Sequence, residues 1–264
     1  MQTKLEQLRQ WFRSKDRVAV AYSGGVDSTV VLKVAHDELG HRTTAFLAVS
    51  ESLPGSEKDS AIALAHSMGA NLRILATTET SDPRYQVNAP NRCYYCKQNV
   101  YSTIRSVAGD DLIVDGMNAD DTQDVRPGRA ATRELGIMSP LCELGFRKED
   151  VRAAARELGL SNWDKPAAAC LASRVPYGSP VTIPILAQIE KAELMLKEIG
   201  FSDLRVRHHG NVARLEVPDS ELAHAIQERA RIQDAMKAVG FVYVTLDLEG
   251  LRSGSSNEVL KSRS

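Results

Sequence analysis

Arg17-Val18-Ala19-Val20-Ala21-Tyr22-Ser23-Gly24-Gly25-Val26-Asp27-Ser28 is the stretch whose reading decides the fold. Its first half is a short apolar run bounded by charge, the pattern of a strand buried on both faces. Its second half runs straight into a helical pattern from Ser28 to Leu39, stopped by Gly40. Paired glycines let the backbone turn sharply and approach an anion, successive N–H groups form a nest, and the helix N-terminus adds partial positive charge. Ser23 and Ser28 add hydroxyl donors. A plain strand-to-helix turn capped by Ser or Asp would look similar. The position at the carboxyl end of the first strand of a parallel sheet, where such folds bind ligands, favours a nucleotide site. The spacing GxxxxGK[ST] and its lysine are absent, so this is not a Walker loop.

Working outward, Leu5, Leu8, Trp11 and Phe12 mark a helical stripe before the strand. After the first helix the chain alternates a strand at 43–49, a helix at 57–68, a strand at 72–76, a helix near 97–107 and a strand at 111–115. A polar loop runs to Gly128, and a helix follows near 148–158. Strands separated by helices of this length predict βαβ crossovers and a parallel sheet. The segment 162–182 (NWDKPAAACLASRVPYGSPVT) has three prolines and little periodicity, which marks a domain joint or functional loop. Beyond it the pattern predicts a helix (183–199), strands (204–208 and 212–217), a helix (220–239) and a strand (241–248), an α+β set with a short sheet. The polar tail from Ser253 to Ser264 is expected to fray.

The 264 residues carry 33 Lys+Arg against 34 Asp+Glu, a formal net charge of -1, with 43% hydrophobic residues. That balance argues against a protein whose main work is neutralising nucleic-acid phosphate. No apolar run approaches the roughly 20 residues that span a bilayer, and the charged, amphipathic start carries no apolar leader core. A cytoplasmic protein with neither a nucleic-acid nor a membrane partner is expected. Its four cysteines are too few for a disulfide scaffold, yet Cys93-Tyr94-Tyr95-Cys96 is a C-x-x-C. In a reducing compartment that spacing suggests metal, cluster or redox chemistry. Cys142, ending the strand-like run Ser139-Pro140-Leu141-Cys142, reads as a small core residue. His36, His41 and His66 lie on or beside predicted helices and read as structural.

Period two along 204–208 places Leu204, Val206 and His208 on one face and Arg205 with Arg207 on the other. In the next strand Arg214 and Glu216 share a face. A hairpin through His209-Gly210-Asn211 would gather three arginines and a carboxylate on one surface. Guanidinium forks there would suit a phosphate, and a solvated sheet face is the alternative. Asp115 and Asn118, at the end of a sheet strand, are placed to contact a bound nucleotide or its metal ion or to serve a turn.

SGGVDS after RVAVAY closely resembles the pyrophosphate loop of the PP-loop ATP pyrophosphatases. The resemblance implies a parallel-sheet, Rossmann-like domain in which Ser23, Gly24, Gly25, Asp27 and Ser28 hold the β,γ pyrophosphate of ATP with Mg²⁺. Four further stretches narrow it. They are Asp115-Gly116-Met117-Asn118-Ala119-Asp120-Asp121 with Arg126-Pro127-Gly128; Asn162-Trp163-Asp164-Lys165-Pro166 leading to Cys170-Leu171-Ala172-Ser173-Arg174-Val175-Pro176-Tyr177-Gly178; Arg205-Val206-Arg207-His208; and 240–248 followed by Arg252-Ser253-Gly254. Together they resemble the LarE family of ATP-dependent sulfur transferases, which serve the nickel-pincer nucleotide cofactor of lactate racemase.

That resemblance implies an α/β chain with a PP-loop domain at 1–165, a joint loop at 166–182 and a smaller α+β domain for substrate binding and oligomerisation at 183–264. It implies adenylation of a pyridinium 3,5-dicarboxylic acid mononucleotide and displacement of AMP by sulfur. Asp27 and the cysteines would stand at the chemistry. Ser173, Arg174, Arg205 and Arg207 match substrate-phosphate positions, and Glu193 and Glu216 match acidic positions near them. Lys97 could also face a phosphate, or be solvated. His224 stands where relatives carry an acid, and a homo-oligomer, a hexamer, is implied. One version of the family spends a single cysteine, at the position of Ala169 here. The other holds a [4Fe-4S] cluster on three cysteines, which Cys93, Cys96 and Cys170 resemble. Three thiolates with one open iron position suit a labile ligand; a zinc site completed by a histidine, or a plain dithiol, are the alternatives. A cluster-dependent tRNA thiolase or a non-catalytic adenine-nucleotide module are the competing functions.

Overall fold

The computed structural model describes residues 3–122, 128–166, 168–252, 254, 255 and 258. Arg126, Pro127 and Ser253 of the quoted motifs lie outside the described residues, as does most of the tail beyond them. Contacts divide the chain into two compact units, Met1–Asp82 with Pro90–Ala168 and Pro83–Ala89 with Ala169–Ser264.

The first unit opens with α1 (Lys4–Arg13), capped by the Thr3 hydroxyl and burying Leu5, Leu8 and Phe12. Then follow β1 (Val18–Tyr22), α2 (Val26–Leu39), β2 (Thr43–Val49), α3 (Gly55–Ser67) and β3 (Asn71–Ala76). After the short α4 (Pro83–Gln86) come α5 (Arg92–Ala108), β4 (Leu112–Val114), α6 (Gly128–Glu134), α7 (Pro140–Glu143) and α8 (Lys148–Glu157). The four strands pair in parallel in the order β3-β2-β1-β4. The first three strands step in one direction and β4 lies on the other side of β1, so the order reverses beside β1, where doubly wound sheets bind ligands. Val18, Ala19 and Val20 are fully buried, as the apolar run predicts, and α2 packs Val30, Val31, Leu32 and Ala35 against the sheet.

The second unit contains α9 (Ile183–Ile199), β5 (Arg205–His209), β6 (Val212–Glu216), α10 (Leu222–Gln227), α11 (Arg229–Ala238) and β7 (Tyr243–Leu246). β5 and β6 form an antiparallel hairpin and β7 adds in parallel to β6. Leu196, Phe201, Val206, Leu215, Ile232 and Met236 pack its core. α4 belongs here: Val181 N–H donates to Gln86 O at 2.9 Å, and the buried Asn88 amide donates to the carbonyls of Val175, Pro176 and Ser179 at 3.2, 2.8 and 3.0 Å.

Four expectations change. The helix expected from Lys97 begins at Arg92, so Cys93 and Cys96 lie within its first turns. Cys142 sits in the single helical turn α7, with Pro140 at its start, and is partly exposed while Leu141 takes the core position. The helix expected over 220–239 breaks at Glu228, so that Ala225 on α10 and Ile232, Ala235 and Met236 on α11 all reach the core. The start of the tail is anchored: Leu251 N–H donates to Val217 O at 2.8 Å and Ser255 is buried.

Candidate functional site

The loop between β1 and α2 is held from behind on every side. Ser28 Oγ accepts from Ser23 N–H at 3.2 Å, lies 3.0 Å from Ser23 Oγ and donates to Gly25 O at 3.1 Å. Gly25 O also accepts from the Thr29 hydroxyl at 2.8 Å, and Gly24 O accepts from Asn162 Nδ2 at 3.2 Å. Gly25 N–H itself leans on Ser23 Oγ at 3.4 Å, so the hydroxyls and amides of the loop converge on one another at the helix N-terminus. Gly24 has φ +73, and a Cβ there would stand 2.6 Å from Ala61 Cβ on α3. Gly116, just past β4, is as confined: its Cβ would meet Ser28 N at 2.6 Å. Two neighbouring elements thus press on the loop, and only glycine admits both contacts.

Asp27 and Asn118 meet here, Asn118 Nδ2 donating to Asp27 Oδ1 at 2.8 Å. Burial pushes the Asp27 carboxyl above its ordinary value, and the nearby charge of Asp121 pushes the same way, against Asn118 and Lys148. Two carboxylates close together in a partly dry place form a hard oxygen donor set that fits Mg²⁺. Asp115 is buried and fully engaged, accepting from Tyr101 OH at 2.8 Å, Ser139 Oγ at 2.7 Å and Met117 N–H at 3.1 Å. Asn118 Oδ1 accepts from the backbone of Asp120 and Asp121 at 3.0 and 3.2 Å. Both residues therefore shape the end of β4 behind Asp27. Along the same carboxyl edge, Ser50 and Ser52 after β2 donate to Oε1 of the buried Glu79 after β3 and fix the turn that leads into α3. Asn162, quoted in a motif without a role, bridges Gly24 O and Thr29 Oγ1, and Lys165 pairs with Glu57 at 2.7 Å.

In the second unit the hairpin register sets Arg205 opposite Glu216 and Arg207 opposite Arg214, gathering the expected face. It is not a solvated face: Arg207 is 3% exposed and Glu216 fully buried. Arg207 Nη2 bonds Glu216 at 2.8 Å and the Ser255 hydroxyl at 2.7 Å, and Arg207 Nη1 donates to Ser173 O at 2.7 Å. Arg214 pairs with Glu216 and Asp247. Arg174 grips Glu193 with two nitrogens at 2.9 and 3.1 Å and donates its third to Ala169 O at 2.7 Å. Arg205 differs. Among the described residues no carboxylate pairs with it, and its guanidinium donates to Arg252 O at 3.1 Å. Burial, with Arg207 and Arg174 nearby, holds it below the usual arginine range. An anion is what this local surplus of positive charge would take. His224 lies against Phe201, its ring centroid 5.0 Å away.

Cys93 and Cys96 project from the start of α5 at i and i+3, on one helix face. Lys97 follows, its ammonium 5.8 Å from the Tyr101 ring centroid. Cys170 immediately precedes a 3₁₀ turn, Leu171–Arg174. No cysteine is bridged; Cys93 is exposed and Cys96 and Cys170 are partly so. The donor chemistry of three thiols suits an iron–sulfur group. Among the described residues, no group of three or more His, Cys, Asp or Glu side chains is arranged to hold a metal ion.

The chain is 42% identical over 262 residues to the pyridinium-3,5-bisthiocarboxylic acid mononucleotide synthase of Lactiplantibacillus plantarum, covering 98% of this chain and 95% of that one. It is 43% identical over 265 residues to an uncharacterised protein of Synechocystis sp., covering 98% and 99% of the two chains. An uncharacterised protein of Methanocaldococcus jannaschii is 30% identical over 249 residues, 93% and 94% of the two. No family model matches.

Proposed function

The chain belongs to the LarE family of ATP-dependent sulfur transferases, and from that membership we propose that it converts a pyridinium-3,5-dicarboxylic acid mononucleotide to its thiocarboxylate. The single observation that carries the reading beyond family membership is the loop 23–28 at the N-terminus of α2, whose Gly24 and Gly25 carbonyls are tied down by Asn162 and Thr29 and whose Gly24 is crowded against Ala61, a fixed turn suited to a polyphosphate.

A carboxylate is a poor electrophile and needs a leaving group. Its oxygen attacks the α-phosphorus of ATP, the α–β bridging P–O bond breaks, and pyrophosphate departs. A sulfur nucleophile then attacks the acyl carbon, and AMP leaves with the former carboxylate oxygen. Ser23, Gly24, Gly25 and Ser28 cradle the departing pyrophosphate. Asp27 would hold Mg²⁺, which would neutralise charge developing on the phosphates. Asn118 keeps Asp27 in place, and Asp115 braces the turn after β4 through Tyr101, Ser139 and Met117. On the second unit Arg205, which pairs with no carboxylate among the described residues, takes the phosphate of the substrate together with Ser173, and Arg207 and Glu216 set its position. Lys97 adds positive charge near the cysteines.

For the sulfur we assign Cys93, Cys96 and Cys170 as ligands of a [4Fe-4S] cluster, on the strength of their thiol chemistry and of Ala169, which offers no sulfur where the single-cysteine relatives spend theirs. Bound there, such a cluster supplies an iron with an open position for a labile sulfide. We further propose a cytoplasmic homo-oligomer, a hexamer, acting on a small nucleotide and not on nucleic acid. Val242, Tyr243 and Leu248, exposed on and beside edge strand β7, support self-association. Among the described residues no helix is long and apolar enough to cross a membrane.

Protein prepared without oxygen should carry about four irons per chain. Alanine at Cys93, Cys96 or Cys170 should each lose them, and alanine at Cys142 should not. Iron lost from Cys142→Ala but kept in Cys170→Ala would refute the ligand set. The transferase reading is tested by incubating that protein with ATP and the dicarboxylate nucleotide and following products by mass spectrometry. Thiocarboxylate with AMP and pyrophosphate is expected; thiolated tRNA in its place would favour the tRNA thiolase.

A further inference from the structure

We propose that Arg174 is a positioning residue for Cys170, and that the two buried arginine–glutamate pairs of the second unit form a cradle for the backbone of the joint loop. The importance of Cys170 rests on the proposed function above; the cradle itself rests on geometry alone.

Family resemblance places Arg174 among the substrate-phosphate contacts. Its Nε–H, both Nη1 hydrogens and one Nη2 hydrogen are otherwise employed. Nε and Nη2 grip the two oxygens of Glu193 at 2.9 and 3.1 Å, and Nη1 donates to Ala169 O at 2.7 Å and Cys170 O at 3.3 Å and reaches Ser173 Oγ at 3.2 Å. The side chain is 8% exposed and that of Glu193 10%. Glu193 is pinned in turn, its Oε1 accepting from Val206 N–H at 3.0 Å, so the fork is fixed to both α9 and β5. Arg207 repeats the design: Glu216 holds Nη2 and Nη1 donates to Ser173 O at 2.7 Å. The carbonyls of residues 169, 170 and 173 are therefore held by two guanidinium groups whose opposite edges are neutralised by buried carboxylates. A planar fork can hold a carboxylate along one edge and a carbonyl along another; a lysine ammonium is a point charge without that geometry. The turn that Cys170 opens is closed by Ser173 N–H to Cys170 O at 3.0 Å. Fixing these carbonyls fixes the direction in which the Cys170 side chain leaves the backbone.

The test is residue-resolved alkylation of the full chain after metals are stripped, with iodoacetamide and mass spectrometry, Cys93, Cys96 and Cys142 serving as references in the same molecule. Arg174→Lys keeps the charge and loses the fork. Labelling at Cys170 should rise about tenfold, the population change from losing one charge-assisted hydrogen bond, with the other three unchanged. KM for the nucleotide substrate should stay near wild type while kcat falls. Arg205→Lys should do the reverse, raising KM and leaving Cys170 labelling alone. Arg207→Lys, loosening Ser173 O, should also raise labelling selectively at Cys170. Unchanged Cys170 labelling in Arg174→Lys with a raised KM would make Arg174 a phosphate ligand and overturn the proposal. So would equal rises at all four cysteines in both the Arg174 and Arg207 variants. Because labelling needs neither ATP nor substrate, its outcome is separable from failure of the sulfur-transfer reading.

Discussion

Asp27 stands where two demands conflict in the proposed function: a magnesium ligand would have to be ionised, and the loop that presents the carboxyl is partly dry. Burial and Asp121 raise its pKa in the folded chain above the unfolded value of about 4. For a group raised on folding, the stabilising contribution is complete below the unfolded pKa and is lost as pH rises through the folded one. Freed of metal and nucleotide, wild-type protein at pH 7 therefore lacks the stability that protonation of Asp27 gives the folded chain at low pH. Asp27→Asn should melt at a higher temperature than wild type at pH 7, and the difference should vanish below about pH 4. Equal melting at pH 7 would contradict the strained carboxylate. The same variant should lose ATP-dependent pyrophosphate release. Gly116 belongs with Asp27: Gly116→Ala would drive a methyl against Ser28 N at 2.6 Å, a backbone atom that cannot step aside. A cost of about 1–3 kcal/mol in urea unfolding is expected, with weaker ATP binding.

The β5–β6 hairpin shows how a sheet face becomes a site. Direct pairing puts Arg205 opposite Glu216 and Arg207 opposite Arg214, so every charge lands on one side by period alone. Glu216, fully buried between Arg207 and Arg214, stabilises the set. Glu216→Gln would leave Arg207 buried without its counter-charge, at a cost of about 3–5 kcal/mol in the unfolding of the second unit. A change below 1 kcal/mol would mean that the pair is not closed in solution. The element β1–loop–α2 was legible in the sequence because its signals are local: an apolar run, two glycines and a helical period lie within a dozen residues. The hairpin was legible too, since period two and Gly210 fix its face and turn. The break at Glu228 was not, because no proline or glycine marks it and the burial of Ala225 together with Ile232 decides it.

At the scale of the whole chain, the features that no local pattern announces are the non-local ones. Pro83–Ala89 lies between β3 and α5 in sequence but packs with the second unit through Asn88 and the carbonyls near residue 176, and no local pattern announces that. The bidentate grip of Arg174 on Glu193 was likewise not legible, because the two are distant in sequence and the pairing depends on how α9 meets the joint loop. The residues proposed to hold the phosphates were readable from loop chemistry, whereas Asn162, Gly116, Tyr101 and Ser255 are defined by tertiary contact. The claim that unites both units is that ATP activates a carboxylate of a small anionic nucleotide. The most direct measurement is exchange of labelled pyrophosphate into ATP with the purified chain and magnesium. Exchange should require the pyridinium dicarboxylate mononucleotide, and should be absent with tRNA and abolished in Asp27→Asn. Exchange with tRNA and none with the nucleotide would contradict the account.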